Sequence, residues 1–153
     1  MGERATLVGH LRDQRLTLEM KCTGLDAEAL ARRSVEPSNL SLLGLIRHLA
    51  SVEQTWFRLR MAGQDGPRLY RSEGDPNGDL NGAVPDQAVV DEAWATWRAE
   101  VAFAEQFVEA APDLDAVGRD GDHLRAVLVH MIEEYARHNG HADLLRELSL
   151  IHI

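Results

Sequence analysis

Apolar residues recur at helical spacing along four long segments of the chain, and strand-like alternation of β-branched residues is absent. The first segment runs from about Arg4 to Thr23, with Leu7, Leu11, Leu18 and Cys22 close to one stripe and Gly24 as a C-terminal stop. A short amphipathic piece, LDAEALARRS, predicts a further couple of helical turns. The second long helix is expected to start at Ser41, an N-cap residue, and to reach Gly63. Its positions Leu42, Leu45, Leu49, Val52, Trp56 and Leu59 keep the i, i+3, i+4 rhythm of a buried face. Residues 64–85, QDGPRLYRSEGDPNGDLNGAVP, are dense in Gly, Pro, Asp and Asn and read as a loop. Asp86 caps the third helix, which carries Val90, Trp94, Trp97, Val101, Ala104 and Val108 and ends near Pro112. After the turn PDLDAVGRDGD, Asp122 opens the fourth, with Leu124, Val127, Leu128, Met131 and Ile132 on its apolar side.

Four long helices with three connections predict an all-α fold, a four-helix bundle. The long second connection lets helices two and three run parallel, giving up-down-down-up. A chain of 153 residues fills one domain, 1–153, and is too short for two ordinary ones. The net charge of −9 argues against a nucleic-acid binder and against docking on an anionic membrane. No apolar run approaches the roughly 20 residues that span a bilayer, and MGERATLVGHL lacks a signal-peptide pattern. Cys22, the single cysteine, makes no internal disulfide, so a cytoplasmic protein is expected. Lys21 is the only lysine among 16 basic residues, a bias that fits a GC-rich bacterial genome.

Chemistry concentrates on the fourth helix, in EEYARHNGHADLLREL. At about 100° per residue, His130, His138 and His141 fall within roughly 40° of Glu134 around the helix axis, forming one polar ridge. Val127, Met131, Leu145 and Leu148 lie on or near the same side, so the ridge is expected to point inward, where polar groups need partners. On the second helix, His48 interrupts LLGLIRHLASV on the face of Leu45 and Val52. His48, His138 and His141 would supply three nitrogens with an open position for water or substrate, the arrangement of catalytic zinc. Imidazole also suits iron and nickel, so the divalent metal is left open as Zn, Ni or Fe. Glu134 can act as a ligand, as an acceptor for an imidazole N–H, or as a general base. The plainer alternative for each histidine is a core side chain bonded to a carbonyl or carboxylate. His10, His123 and His152 read as surface or terminal residues.

The stretches SLLGLIRHLASVEQTWF (41–57) and LVHMIEEYARHNGHADLLREL (128–148) resemble the DinB-like (YfiT-like) metalloenzymes, in particular the group related to mycothiol-dependent transferases and isomerases. The loop around GDPNGD and the opening QRLTLEMKCTGLDAEAL fit as well, so the likeness covers nearly the whole chain. The resemblance implies an up-down-down-up four-helix bundle, usually a homodimer, with a divalent metal held by three histidines. It also implies a low-molecular-weight thiol as co-substrate, either transferred to an electrophile or assisting an isomerisation. Carried over by residue, the ligand of the second helix falls on His48. Many relatives pair their C-terminal ligands four residues apart, sometimes with Glu in the first place. Here Arg137 stands four before His141, whereas Glu134 and His138 keep that spacing. The expected ligands are His48, His138 and His141, with Glu134 the replacement or fourth.

The favoured expectation is thus a metal-dependent thiol S-transferase in which a cation-bound thiolate attacks an electrophilic carbon. Arg47, Arg58, Arg68 and Arg137 are candidates for anionic substrate groups, with solvated surface arginines as the plainer reading. Trp56, Trp94 and Trp97 read as core, Tyr70 as a pocket mouth or a loop anchor, and Cys22 as a buried small hydrophobe. Leu16, Phe103 and Phe107 lie outside the narrow stripes and suggest a two-fold interface. Two competing readings use the same residues: a hydrolase with water activated by Glu134, and a non-catalytic metal- or ligand-binding bundle.

Overall fold

The computed structural model describes residues 2–151, and His152 lies outside them. The described chain is all-helical: α1 spans Glu3–Cys22, α2 Ala27–Ala31, α3 Leu42–Glu53, α4 Gly78–Asn81, α5 Gln87–Ala110 and α6 Leu124–Leu150. The only extended pairing among the described residues is an isolated bridge between Val117 and His123. No described helix is long and apolar enough to cross a membrane.

The caps explain several boundaries. Ser41 Oγ accepts from Gly44 N at 3.0 Å, Asp26 from Ala29 N at 2.8 Å and Asp86 from Ala88 N at 2.9 Å. Each satisfies an amide that the first helical turn leaves unpaired. The expected cap at Asp122 is not made. Helix α6 starts after His123, without a side-chain cap, and the Asp122 carboxylate instead accepts from Arg60 Nε at 2.8 Å. A guanidinium brought in from another helix offers that carboxylate a charge-assisted bond, stronger than one to an amide.

Beyond Glu53 the second long helix changes character, continuing through Gln54–Met61 as a π-helix. A π turn holds more residues than an α turn, so the inward position slips along the sequence. Phe57 and Met61 are therefore buried, while Trp56 and Leu59, which continue the α rhythm, stay half-exposed. The sequence pattern places the wrong residues inside here because it assumes an unbroken period of 3.6.

Helix α1 lies along α6, and α3 lies against both α5 and α6. Arg125 bonds Glu3, Asn139 donates to Gln14 O at 3.0 Å, and Lys21 meets Asp143 at 2.7 Å. At the centre of these helices is a charged network. Arg15 of α1 donates twice to Glu53 of α3, at 2.7 and 2.9 Å. Tyr135 Oη of α6 donates to the same carboxylate at 2.8 Å, and Trp97 Nε1 of α5 donates to Tyr135 Oη at 2.8 Å. Glu53 is 0% exposed. A carboxylate taken out of water this completely needs charge and hydrogen bonds together, and here the four long helices each supply one member.

The loop before α5 folds back on α3 rather than hanging free. Tyr70 adopts a left-handed backbone, with φ of 63°. Its carbonyl lies so near Gly78 that a Cβ there would collide with it, which makes glycine necessary at that point. Arg47, buried in α3, donates to Asp79 O at 2.8 Å and to Gly78 O at 3.0 Å, and stacks over the Tyr70 ring at 3.9 Å. The short helix α4 within this loop, absent from the pattern of apolar residues, delivers Asp79 to the interior.

Candidate metal centre

His48 sits on α3 and Glu134 and His138 on α6, and one ligand atom from each falls within 4.8 Å of the others. His48 Nε2 is 3.8 Å from Glu134 Oε2, and His138 Nε2 is 3.3 Å from the same oxygen. The two imidazole rings meet edge to face with centroids 4.6 Å apart. Helical spacing accounts for the α6 pair, since residues four apart lie over one another.

The orientation of His48 comes from the loop. Its Nδ1 lies 2.8 Å from Asp79 Oδ2, and the Asp79 side chain is almost fully buried. A carboxylate only accepts, so Nδ1 carries a proton, and in the neutral ring Nε2 presents its lone pair to the cluster. Arg71 Nη2 lies 3.3 Å from both His48 Nδ1 and Asp79 Oδ2. With Nδ1 protonated, its hydrogen goes to Asp79. Leu80 N also donates to Asp79, through Oδ1 at 2.9 Å.

These contacts shift the titrations. Burial pulls the His48 pKa down, but the carboxylates of Asp79 and Glu134 outweigh it and hold the value above the usual one. Burial works against the Asp79 anion, yet His48, the Leu80 amide and Arg71 keep its pKa below normal. The imidazoles of His138 and then His48 hold Glu134 well below the ordinary carboxylate range. A carboxylate held ionised between two imidazoles is a good cation ligand.

His141 stands beside this group. Its Nδ1 is 3.2 Å from His138 Nδ1, so the two nitrogens of His138 face different partners: Nε2 faces Glu134 and Nδ1 faces His141. Burial, His138 and the charge of Arg137 lower the pKa of His141, which favours a neutral ring able to accept a proton bond. His130 reaches the second oxygen of Glu134, with Nε2 to Oε1 at 3.4 Å, and its ring stacks on Trp56 at 4.5 Å between centroids. All four ridge residues are therefore half-buried and in one row, as the helical spacing predicts.

Two nitrogens and a carboxylate oxygen, drawn together on two facing helices with a buried aspartate steering one ring, form a donor set suited to a divalent cation such as zinc. The chain matches the family model described as Mycothiol-S-transferase over residues 6–149. It belongs to that family. No curated protein and no solved structure matches the chain. Membership agrees with the resemblance carried by residues 41–57 and 128–148 and implies a thiol substrate.

Other candidate residues have different employment. Arg47 is committed to the loop carbonyls, and Arg58 pairs with Glu100 at 3.0 Å while covering the Phe103 ring. Arg137 is exposed. Trp97 is core, whereas Trp56 and Trp94 are half-buried, with Trp56 bordering the ridge. Tyr70 anchors the loop under Arg47 and bonds Glu92 at 2.9 Å. Cys22 is buried, which pushes its thiol pKa up to about 12 and keeps it unreactive. Of the proposed interface residues, Leu16 stands 54% exposed, while Phe103 and Phe107 are half-buried against the core. His10 and His123 are exposed. The residues that sequence reasoning missed are Asp79 and Arg71. Asp79 closes GDPNGD, and that stretch was legible only as part of the family likeness.

Proposed function

We propose that this protein is a divalent-metal-dependent S-transferase that uses a mycothiol-like low-molecular-weight thiol against an electrophilic small molecule. The observation that carries it is the convergence of His48, Glu134 and His138 under the hydrogen bond from His48 to Asp79. His48 Nε2, His138 Nε2 and a Glu134 oxygen would hold the cation. Bound there, it supplies positive charge that favours the thiolate form of a thiol near neutral pH.

The protein's own share is positional. Asp79 holds His48 in the tautomer with Nε2 free, and His141 offers His138 Nδ1 the same service on the other side of the site. Glu134 serves as a ligand in this reading, because its two oxygens face the imidazoles of His130 and His138. A three-histidine set of His48, His138 and His141 would need His138 to turn its Nδ1 toward His48.

An up-down-down-up bundle belongs to the same proposal. The pairs Glu3–Arg125, Gln14–Asn139 and Lys21–Asp143 advance together, which supports parallel α1 and α6. Arg60–Asp122 and His48–His138 run in opposite order, which supports antiparallel α3 and α6. Exposed Leu16 and Met20 on α1 favour a homodimer, testable by light scattering on the purified chain.

The deciding experiment measures metal content and thiol consumption together. About one metal per chain is expected, with thiol lost only when metal and electrophile are both present. Turnover of an ester or amide without thiol would overturn the assignment.

A further inference from the structure

Two arginines next to the centre remain without an adequate partner. Arg71 Nη2 touches Asp79, but its Nε is buried with no hydrogen-bond acceptor. Arg68 donates through Nε to Thr55 Oγ1 at 3.1 Å and makes no ion pair among the described residues. Both line one open cavity of about 340 Å³ together with Ser72 and Pro76. Burial, and after it the charge of Arg71, lowers the pKa of Arg68, with Asp79 opposing the shift. The only nearby carboxylate that Arg71 contacts, Asp79, is shared with His48.

Such a pair is unusual in a chain with a net charge of −9. A buried N–H without an acceptor costs free energy, as does the repulsion between like charges, and one oxyanion relieves both. Arg47 does not line this cavity, and it donates through Nε and Nη2 to Asp79 O and Gly78 O. Arg71 also lies 3.3 Å from His48 Nδ1, so the cavity adjoins the loop side of the His48 ring.

We infer that Arg68 and Arg71 form an oxyanion-binding subsite adjoining the His48–Asp79 pair, which favours substrates bearing a carboxylate or similar anionic group. This rests on the transferase reading for its meaning, though the subsite can be tested without metal. The anionic group belongs either to the thiol or to the electrophile.

Calorimetric titration of the metal-free protein with succinate, and with uncharged succinamide as control, tests the subsite itself. Succinate should bind and succinamide should not, with succinate weakened about tenfold in R68Q and R71Q, as expected for loss of a charge-assisted bond. Arg68 is exposed and contacts neither His48 nor Asp79, so R68Q separates anion binding from damage to the centre. Succinate binding that is absent from the wild type, or unchanged from the wild type in both variants, overturns the inference. A second titration uses cobalt-loaded protein with 3-mercaptopropionate or neutral 2-mercaptoethanol, read by sulfur-to-cobalt charge-transfer absorption. Tighter binding of the carboxylate thiol, lost in R68Q, places the anion on the thiol, whereas equal binding with succinate still bound places it on the electrophile. No absorption with either thiol removes the transferase reading and leaves the subsite judged by succinate alone.

Discussion

His48 Nδ1 donates to Asp79 Oδ2 at 2.8 Å, so a loop residue sets the direction in which a helix presents its imidazole. Of the contacts to His48, this is the shortest, and it joins α3 to a buried carboxylate that α4 carries inward. Removing an acceptor of this kind from a metal-ligating histidine commonly costs 10–100-fold in metal affinity. Asp79→Ala should therefore lose affinity by about that factor while its circular dichroism stays that of the wild type. Competition with a chromophoric chelator gives the number, and an unchanged affinity would detach Asp79 from the centre.

The two ends of the ridge should respond unequally. His138→Ala and His48→Ala remove proposed ligands and should leave the folded protein with little bound metal. His141→Ala removes only a partner of His138 Nδ1 and should retain metal with affinity reduced by about tenfold. Metal analysis after dialysis distinguishes the cases. If His141→Ala loses metal as completely as His138→Ala, the three-histidine set is the correct one.

What was legible in the chain divides by the range of the contacts involved. Ser41 and Asp86 announce helix starts because a cap is local, decided within three residues. Helical period places His48 and the ridge of Glu134, His138 and His141 on inward faces of two helices. It favours His141 as the third ligand, whereas the residues that converge are His48, Glu134 and His138. Asp79 was not visible. Its role depends on a loop folding over α3, which the Arg47 bonds and the side-chain-free Gly78 make possible. Arg15 and Glu53 were missed for a related reason: a charged residue reads as solvent-facing until its partner on another helix is known. The slip from Trp56 to Phe57 was hidden because nothing in the apolar rhythm marks where an α-helix widens.

Where His48 loses its proton, metal binding and bare-fold stability depend on pH in opposite senses. Asp79 and Glu134 have lowered pKa values, so their stabilising effect is complete above the ordinary carboxylate range of about 4 and fades as pH falls. His48 has a raised pKa, so its contribution is complete below about 6.5 and is lost as pH climbs through the folded value. The metal-free cluster should thus contribute most near pH 5 to 6, within roughly the window those two values bound. A cation, by contrast, must displace the His48 proton, so its affinity should rise with pH by up to about tenfold per unit until pH passes the raised folded value of His48, and level off beyond it. Affinity that is flat between about pH 6 and 8 would mean that no protonated histidine is displaced.

The Arg15–Glu53 pair should govern whether the helices stay together. Glu53 is wholly buried, and its carboxylate receives two bonds from Arg15 and one from Tyr135. Arg15 is held ionised despite burial, which would lower its pKa, because Glu53 lies against it. Glu53→Ala leaves a buried guanidinium uncompensated and should destabilise by about 3–5 kcal/mol. Replacing both partners with apolar residues of similar size, Arg15→Met with Glu53→Leu, removes the stranded charge and should cost less than either single change. Tyr135→Phe deletes one acceptor for Trp97 Nε1 and one donor to Glu53, and should cost about 1–3 kcal/mol. Urea unfolding followed by tryptophan fluorescence measures all of these, since Trp97 reports from within the network. Single changes near neutral in that titration would show that water compensates the charge and that the network does not hold the four helices.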